Sequence, residues 1–270
     1  MRRRALIMLF AVMASLATPV TAQAAPITEL LRVPGIAFGH DETTGRLVVT
    51  ADETVSEPAL RRIAARGAEV VRTHGRLSTL IMAGQMIFGE NGMRCSVGAN
   101  ARRGTVRVII TAGHCAETVV NWYSDPTRSK LIGTRDLSSF PNNDYGLIRY
   151  LSTVASHNAI YTYPGSIAVT GAGNPYVGQS VCRSGATTGV RCGSVTALNQ
   201  TVTYPEGTVY GLIRTNICSE PGDSGGPIYV PSTGVIVAIV SGGSGNCTVG
   251  GTTYAQPIME IISAYGLTIP

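Results

Sequence analysis

The chain has 270 residues, 21 basic against 16 acidic side chains, and a net charge of +5. Ten of the basic and seven of the acidic residues precede position 81, so the remainder carries about +2 and offers no clustered basic face of the kind that binds nucleic acid. All six cysteines lie between Cys95 and Cys247 without a Cys-x₂-Cys spacing, which favours disulfides over a metal site.

Residues 1–24 combine Arg2-Arg3-Arg4, an apolar stretch from Ala5 to Ala17 and Ala22-Gln23-Ala24. This pattern predicts a secretory signal cleaved after Ala24. No later apolar run approaches the ~20 residues that span a bilayer, so a secreted, extracellular product with no membrane anchor is expected. Residues 25–80 contain seven arginines and no cysteine. Within them Ala59–Val71 predicts a helix with Leu60, Ile63, Ala64 and Ala68 on one face. The segment reads either as a small N-terminal domain or as a pro-segment.

Downstream, short Val/Ile/Thr/Tyr-rich runs alternate with Gly, Pro, Asn and Ser, the pattern of an all-β domain. One such run, Val106–Ile110, leads into Thr111-Ala112-Gly113-His114-Cys115. Further on, Pro221-Gly222-Asp223-Ser224-Gly225-Gly226 sets a serine on a glycine-crowded turn behind an acid. A serine hydroxyl is a weak nucleophile at neutral pH and needs a base plus a group that orients the base.

Chain order decides which residues can supply them. A nucleophile elbow of the α/β-hydrolase type requires an acid and a histidine after the serine. No Asp or His follows Gly225, only Glu260. An Asp-His-Ser order would need Asp41 or Asp52, in the amino-terminal segment. His-Asp-Ser remains. His114 is the base, because only Asp223 separates His157 from Ser224 and a serine's neighbour cannot reach behind the imidazole. Of the acids between them, Asp125 sits in a polar turn and Asp136 in a loop of small polar residues. Asp144 heads the apolar run Tyr145-Gly146-Leu147-Ile148, which suits a buried acid at a strand start. Ser224 would then attack, His114 would take its proton, and Asp144 would fix the imidazole tautomer. The N–H groups of Gly222 and Ser224 would form the oxyanion hole.

These stretches, with Phe140-Pro141-Asn142-Asn143-Asp144-Tyr145-Gly146, Cys182–Gly189, Asn216–Pro227 and Ser241–Cys247, resemble the chymotrypsin-clan serine proteases. The resemblance is to their secreted bacterial branch, the streptogrisins and α-lytic protease, closest to chymotrypsin-like streptogrisins, and spans roughly residues 81–270. It implies two packed antiparallel six-stranded β-barrels, residues 81–165 and 166–270, behind a signal peptide (1–24) and a pro-segment (25–80). Mature chains of that family begin with an isoleucine near Ile81, making Leu80-Ile81 the implied self-cleavage site.

The resemblance further implies disulfides Cys95–Cys115, Cys182–Cys192 and Cys218–Cys247. It also implies a buried Arg183–Asp223 ion pair that takes the place of an activation-generated amino terminus. Its substrate strand matches Ser241-Gly242-Gly243, with glycines that leave the primary pocket open. No acid stands at Asn216, Ile217 or Cys218 to meet Lys or Arg. Glutamate-specific members carry a histidine where this chain has Val240. The implied product is a monomeric endopeptidase acting on polypeptides, needing neither cofactor nor metal, cutting after Phe, Tyr, Leu or Met, and kept in check by its own pro-segment. The alternative is a non-catalytic homologue that binds without cutting. Gln256–Gly266 predicts a C-terminal helix with Ile258, Ile261, Ile262 and Tyr265 inward, and Trp122 predicts core or cleft packing.

Overall fold

The computed structural model describes residues 25–74, 77 and 81–270. The expected leader with Ala24, and Leu80 of the expected junction, lie outside the described residues. Backbone contacts divide the chain into two units, one ending at Leu77 and the other beginning at Ser78. No helix of the described residues is long and apolar enough to cross a membrane.

The first unit contains a short helix α1 (Ile27–Leu30), strands β1 (Ile36–His40) and β2 (Leu47–Ala51), helix α2 (Glu57–Ala64) and strand β3 (Glu69–Arg72). β1 runs antiparallel to β2, and β3 runs parallel to β2 after the α2 crossover. Leu31, Val49, Ile63 and Ala68 form its core. The helix expected over Ala59–Val71 is shorter than its apolar spacing suggested. Gly67 takes φ +84°, a left-handed conformation that ends a helix, and the β-branched pair Val70-Val71 continues as strand. Ala64 is consequently exposed, while Ala68 reaches the core from the connecting turn.

The second unit opens with β4 (Ile81–Ala83), β5 (Met86–Gly89), β6 (Arg94–Ser96), β7 (Ala99–Arg103), β8 (Val106–Thr111) and the single-turn helix α3 (Gly113–Ala116). It continues with β9 (Asn121–Tyr123), β10 (Leu131–Ser139), β11 (Tyr145–Tyr150), β12 (Ser156–Tyr161) and β13 (Ser166–Ala168). The sheet order is β6-β5-β9-β10-β11-β8-β7. Only Val97 and Gly98 separate β6 from β7, so these two act as one bent stave and close a six-stave barrel. Val108, Ile109, Ile110, Leu147, Ile148 and Trp122 are all at 0% exposure in one core cluster, and because successive residues of a strand alternate in direction, both faces of this sheet are buried here. Burying each such side chain contributes roughly 1.5–3 kcal/mol.

Then come β14 (Gly171–Ala172), β15 (Ser180–Gly185), β16 (Gly189–Tyr204), β17 (Gly207–Thr215), β18 (Pro227–Val230), β19 (Val235–Asn246), β20 (Gly250–Pro257) and helix α4 (Ile258–Tyr265). The ladder β19-β18-β15-β16-β17-β20 returns through β19–β20 pairing, giving a second six-stranded barrel with β14 added at its side. Its interior holds Val181, Val195, Ile213, Ile228 and Val237. The fold is thus nearly all-β and two-barrelled.

α4 ends where Gly266 adopts φ +59°. Ile258 and Ile261 are fully buried, and Tyr265 meets Tyr145 of the first barrel edge-on at 5.6 Å. The helix therefore seals both barrels rather than the second alone. Asp136 also differs from expectation. It lies within β10, at a register shift between Arg135 and Leu137, and its carboxylate pairs with Arg103 at 2.5 Å and Arg149 at 2.7 Å. The small polar residues around it are strand residues because β11 supplies a full antiparallel partner.

Candidate active site

His114 sits on α3, the turn that follows β8. A Cβ on Gly113 would lie 2.4 Å from the Ser139 carbonyl oxygen and 2.8 Å from the Tyr145 nitrogen, so only glycine lets this turn pack so tightly against β10 and β11. The Cys95–Cys115 disulfide ties α3 to β6. Asp144, fully buried at the head of β11, comes to His114 from the other side. Its Oδ1 accepts from the His114 backbone N–H at 2.9 Å, and Oδ2 lies 2.9 Å from Nδ1. The backbone and ring contacts together fix both the position and the orientation of the imidazole.

Ser241, 3% exposed on β19, donates its hydroxyl to Asp144 Oδ2 at 2.6 Å. Gln256 on β20, also buried, accepts from the Asp144 N–H at 2.9 Å and donates to Glu260 on α4 at 2.7 Å. Both barrels and the terminal helix thus hold one carboxylate. Burial pushes the His114 imidazole toward the neutral form. The Asp144 hydrogen bond and charge, with a smaller contribution from Glu206, outweigh it and raise the proton affinity above the ordinary value.

Ser224 lies on the turn before β18. Its carbonyl accepts from the Ser96 N–H at 2.8 Å, and Ser96 Oγ donates to the Gly222 carbonyl at 2.8 Å. The turn's other amides are used: Asp223 N–H donates to Glu220, Gly225 N–H to Val240 and Gly226 N–H to Asp223. Among the described residues, nothing accepts from the N–H groups of Gly222 and Ser224. Gly222 takes φ +101°, and a Cβ there would fall 2.3 Å from Thr187 Oγ1.

Behind this turn, Arg183 and Asp223 are both 0% exposed, with Nη1 and Oδ2 3.2 Å apart. Arg183 also donates Nε to the Cys218 carbonyl at 3.1 Å, Nη1 to that of Gly189 at 3.3 Å, and Nη2 to Thr188 Oγ1. Asp223 accepts from the N–H groups of Thr187, Thr188 and Glu220 and from Thr188 Oγ1. Disulfides join Cys182 to Cys192 across β15 and β16, and Cys218 to Cys247 just after β19. The sulfurs of Cys95 and Cys115 lie close to His114, but both are consumed in a disulfide and offer no thiolate to a metal.

A cavity of about 550 Å³ opens beside His114, walled by Phe140, Tyr204, Glu117, Glu206 and the strand Ser241–Gly243. A Cβ on Gly242 would lie 2.8 Å from the Tyr204 hydroxyl oxygen and 2.9–3.0 Å from its ring. This glycine therefore makes room for Tyr204. Gly242→Ala is expected to cost about 1–3 kcal/mol of stability through overpacking, read as a lower unfolding midpoint. An unchanged midpoint would mean that Tyr204 moves aside freely.

Ser96, Thr188, Tyr204 and Gln256 were not singled out from sequence. Ser96 carried one usable signal, its position beside a cysteine that leads toward the His114 turn. Asp125, set aside as a turn residue, accepts from Thr127, Ser129 and Lys130 in its own loop. Its carboxyl stays well below the usual range, mainly through the Thr127 hydroxyl.

A model of the trypsin family matches residues 104–263. Streptogrisin-A of Streptomyces griseus is 46% identical over 245 residues, covering 88% of this chain and 79% of that protein. Streptogrisin-D of the same organism is 44% identical over 251 residues, covering 90% of this chain and 63% of its own length. Among solved structures, a glutamic acid specific serine protease that utilizes a histidine triad in substrate binding matches with a TM-score of 0.67. It is 40% identical and covers 70% of this chain and 100% of that one. The chain belongs to the trypsin-like serine endopeptidases of the chymotrypsin clan, and its relatives include the streptogrisins.

Proposed function

We propose that this chain is a secreted, self-processing zymogen whose mature form, a monomer, cuts peptide bonds after large apolar residues. Ser224 attacks the scissile carbonyl, and His114 accepts its proton and returns it to the leaving amine. Asp144 holds the imidazole tautomer and stabilises the imidazolium. The free N–H groups of Gly222 and Ser224 receive the oxyanion. The observation that carries this reading is the unexposed Asp144 carboxylate, which grips His114 at both its backbone and its Nδ1.

The apolar preference rests on what could oppose it. Ile217 is 1% exposed, and the Asn216 side-chain oxygen accepts from the Ser194 N–H at 2.7 Å. Glu220 Oε1 is engaged by the Cys247 N–H at 3.0 Å. The residue before Ser241 is Val240, 1% exposed, and no histidine occurs after His157, so recognition of glutamate through histidines has no material here. A Phe or Leu side chain entering an apolar slot gains roughly 1.5–3 kcal/mol. Self-processing at Leu80-Ile81 fits that preference. It also falls close to the division between the two units, and Ile81 is the first residue of β4.

Three measurements test the proposal. Intact mass of the secreted protein should place the mature terminus at Ile81, and a serine-directed phosphonyl fluoride should label Ser224. In a peptide series, kcat/KM should be highest with Phe, Tyr, Leu or Met before the cut. Cleavage after Lys, Arg or Glu at an equal or higher rate would remove the pocket assignment, and absence of labelling would remove the catalytic one.

A further inference from the structure

We infer that the cavity beside His114 is a binding site for a cationic side chain, selecting substrates with Lys or Arg immediately before the residue at the cut, and that Glu206 is the residue that determines this. The inference rests on the endopeptidase reading above and adds a second element of specificity to it.

Geometry supplies the first part of the argument. An extended peptide paired with Ser241–Gly243 sends successive side chains to opposite faces. If the residue at the cut enters the primary pocket, the one before it points the other way, into the space bounded by His114, Phe140 and Tyr204.

Chemistry supplies the second. Glu117 and Glu206 line this cavity with Phe140, Pro141, Met93 and Tyr204, and no lysine or arginine lines it among the described residues. Apolar walls with carboxylates at the edge suit an amphipathic cation, whose methylene stem packs on the walls while its head meets the acid. Aromatic faces add attraction for the same charge.

Rigidity supplies the third. Glu206 sits in the two-residue turn between β16 and β17, where Tyr204 pairs with Gly207. The hairpin is latched to the first barrel, since Asn142 N–H donates to the Thr208 carbonyl at 2.9 Å and Tyr210 N–H donates to the Asn142 carbonyl at 2.9 Å. A Cβ on Gly207 would lie 2.6 Å from Pro141 Cβ, so the tip seats directly on that loop. On the cavity side, Tyr204 OH lies 3.2 Å from Ser241 Oγ. Glu206 is therefore a charge on a fixed support. Its charge acts in the same direction as that of Asp144 on the His114 imidazole, favouring the protonated form.

The test uses secreted protein from the full chain and the peptides Ala-Ala-Xaa-Phe-p-nitroanilide, with Xaa as Lys, Arg, Ala or Glu. Lys and Arg are expected to exceed Ala in kcat/KM by roughly fivefold, the size of one unit-charge pair at contact distance in water. Glu should fall below Ala. The preference should shrink in 1 M salt, where screening acts over ~3 Å. Glu206→Gln should bring the Lys-to-Ala ratio close to one, whatever it does to the rate with the Ala substrate, and Glu206→Lys should favour the Glu peptide. An equal Lys-to-Ala ratio in wild type and Glu206→Gln would overturn the inference while leaving the endopeptidase reading intact. Failure to cut any of the peptides would overturn both.

Discussion

Asp144→Asn is expected to lower kcat by about 10⁴-fold with little change in stability. Three donors converge on the Asp144 side chain: the His114 N–H and Nδ1–H and the Ser241 hydroxyl. A carboxylate accepts from all three. An amide offers one accepting oxygen, and its NH₂ must face at least one of those donors. The conflict is relieved most simply when the imidazole moves its proton from Nδ1 to Nε2. Nε2 is then no longer able to take the Ser224 proton. The pH profile separates this cause from simple misfolding. Wild-type His114 is held above its ordinary value because Asp144 outweighs burial. Without the negative charge, burial still opposes protonation, so the imidazole stays neutral to lower pH. The acid limb of the residual activity should therefore shift downward. A variant within tenfold of wild-type kcat would show that Asp144 does not set the tautomer.

The structure joins His114 to Asp144; as candidates, they and Ser224 could be picked out from sequence because each lies in a short local motif and only one order of base, acid and nucleophile was open. The residues that hold them could not. Gln256 meets Asp144 across 112 positions and Ser96 meets Gly222 across 126, and both are single polar side chains without a surrounding pattern. Such partners emerge only when two closed barrels bring distant strands together. The amino-terminal helix illustrates the opposite error. An apolar period carried the reading past Gly67, although that glycine was the residue able to stop it. β10 shows a third limit, since Asp136 and its polar neighbours have strand conformation by pairing with β11 rather than by their own propensity.

Arg183→Ala is expected to destabilise the protein by about 3–5 kcal/mol, because it leaves the Asp223 charge buried without its partner. Space for the pair is tightly defined: a Cβ on Gly185 would lie 2.4 Å from Arg183 Nη1 and 2.5 Å from Asp223 Oδ1. Loss of the guanidinium also frees Thr188 Oγ1 and the Cys218 and Gly189 carbonyls, all on segments that flank the nucleophile turn. Asp223 keeps four neutral donors, which limits the loss but does not cancel the charge. Because Asp223 lies between Gly222 and Ser224, any tilt of its side chain redirects the two free N–H groups. Displacing one oxyanion donor costs about 10²–10³ in kcat, so turnover and stability should fall together. Urea unfolding of phosphonyl-inactivated enzyme measures the stability without autolysis. Arg183→Met tests the role of charge apart from volume and should remain strongly destabilised. Adding Asp223→Asn to it should recover part of the stability, since the orphaned charge is gone, with a coupling of roughly 0.5–3 kcal/mol. Wild-type turnover in Arg183→Ala, or purely additive effects in the double variant, would mean that the pair does not hold the oxyanion site.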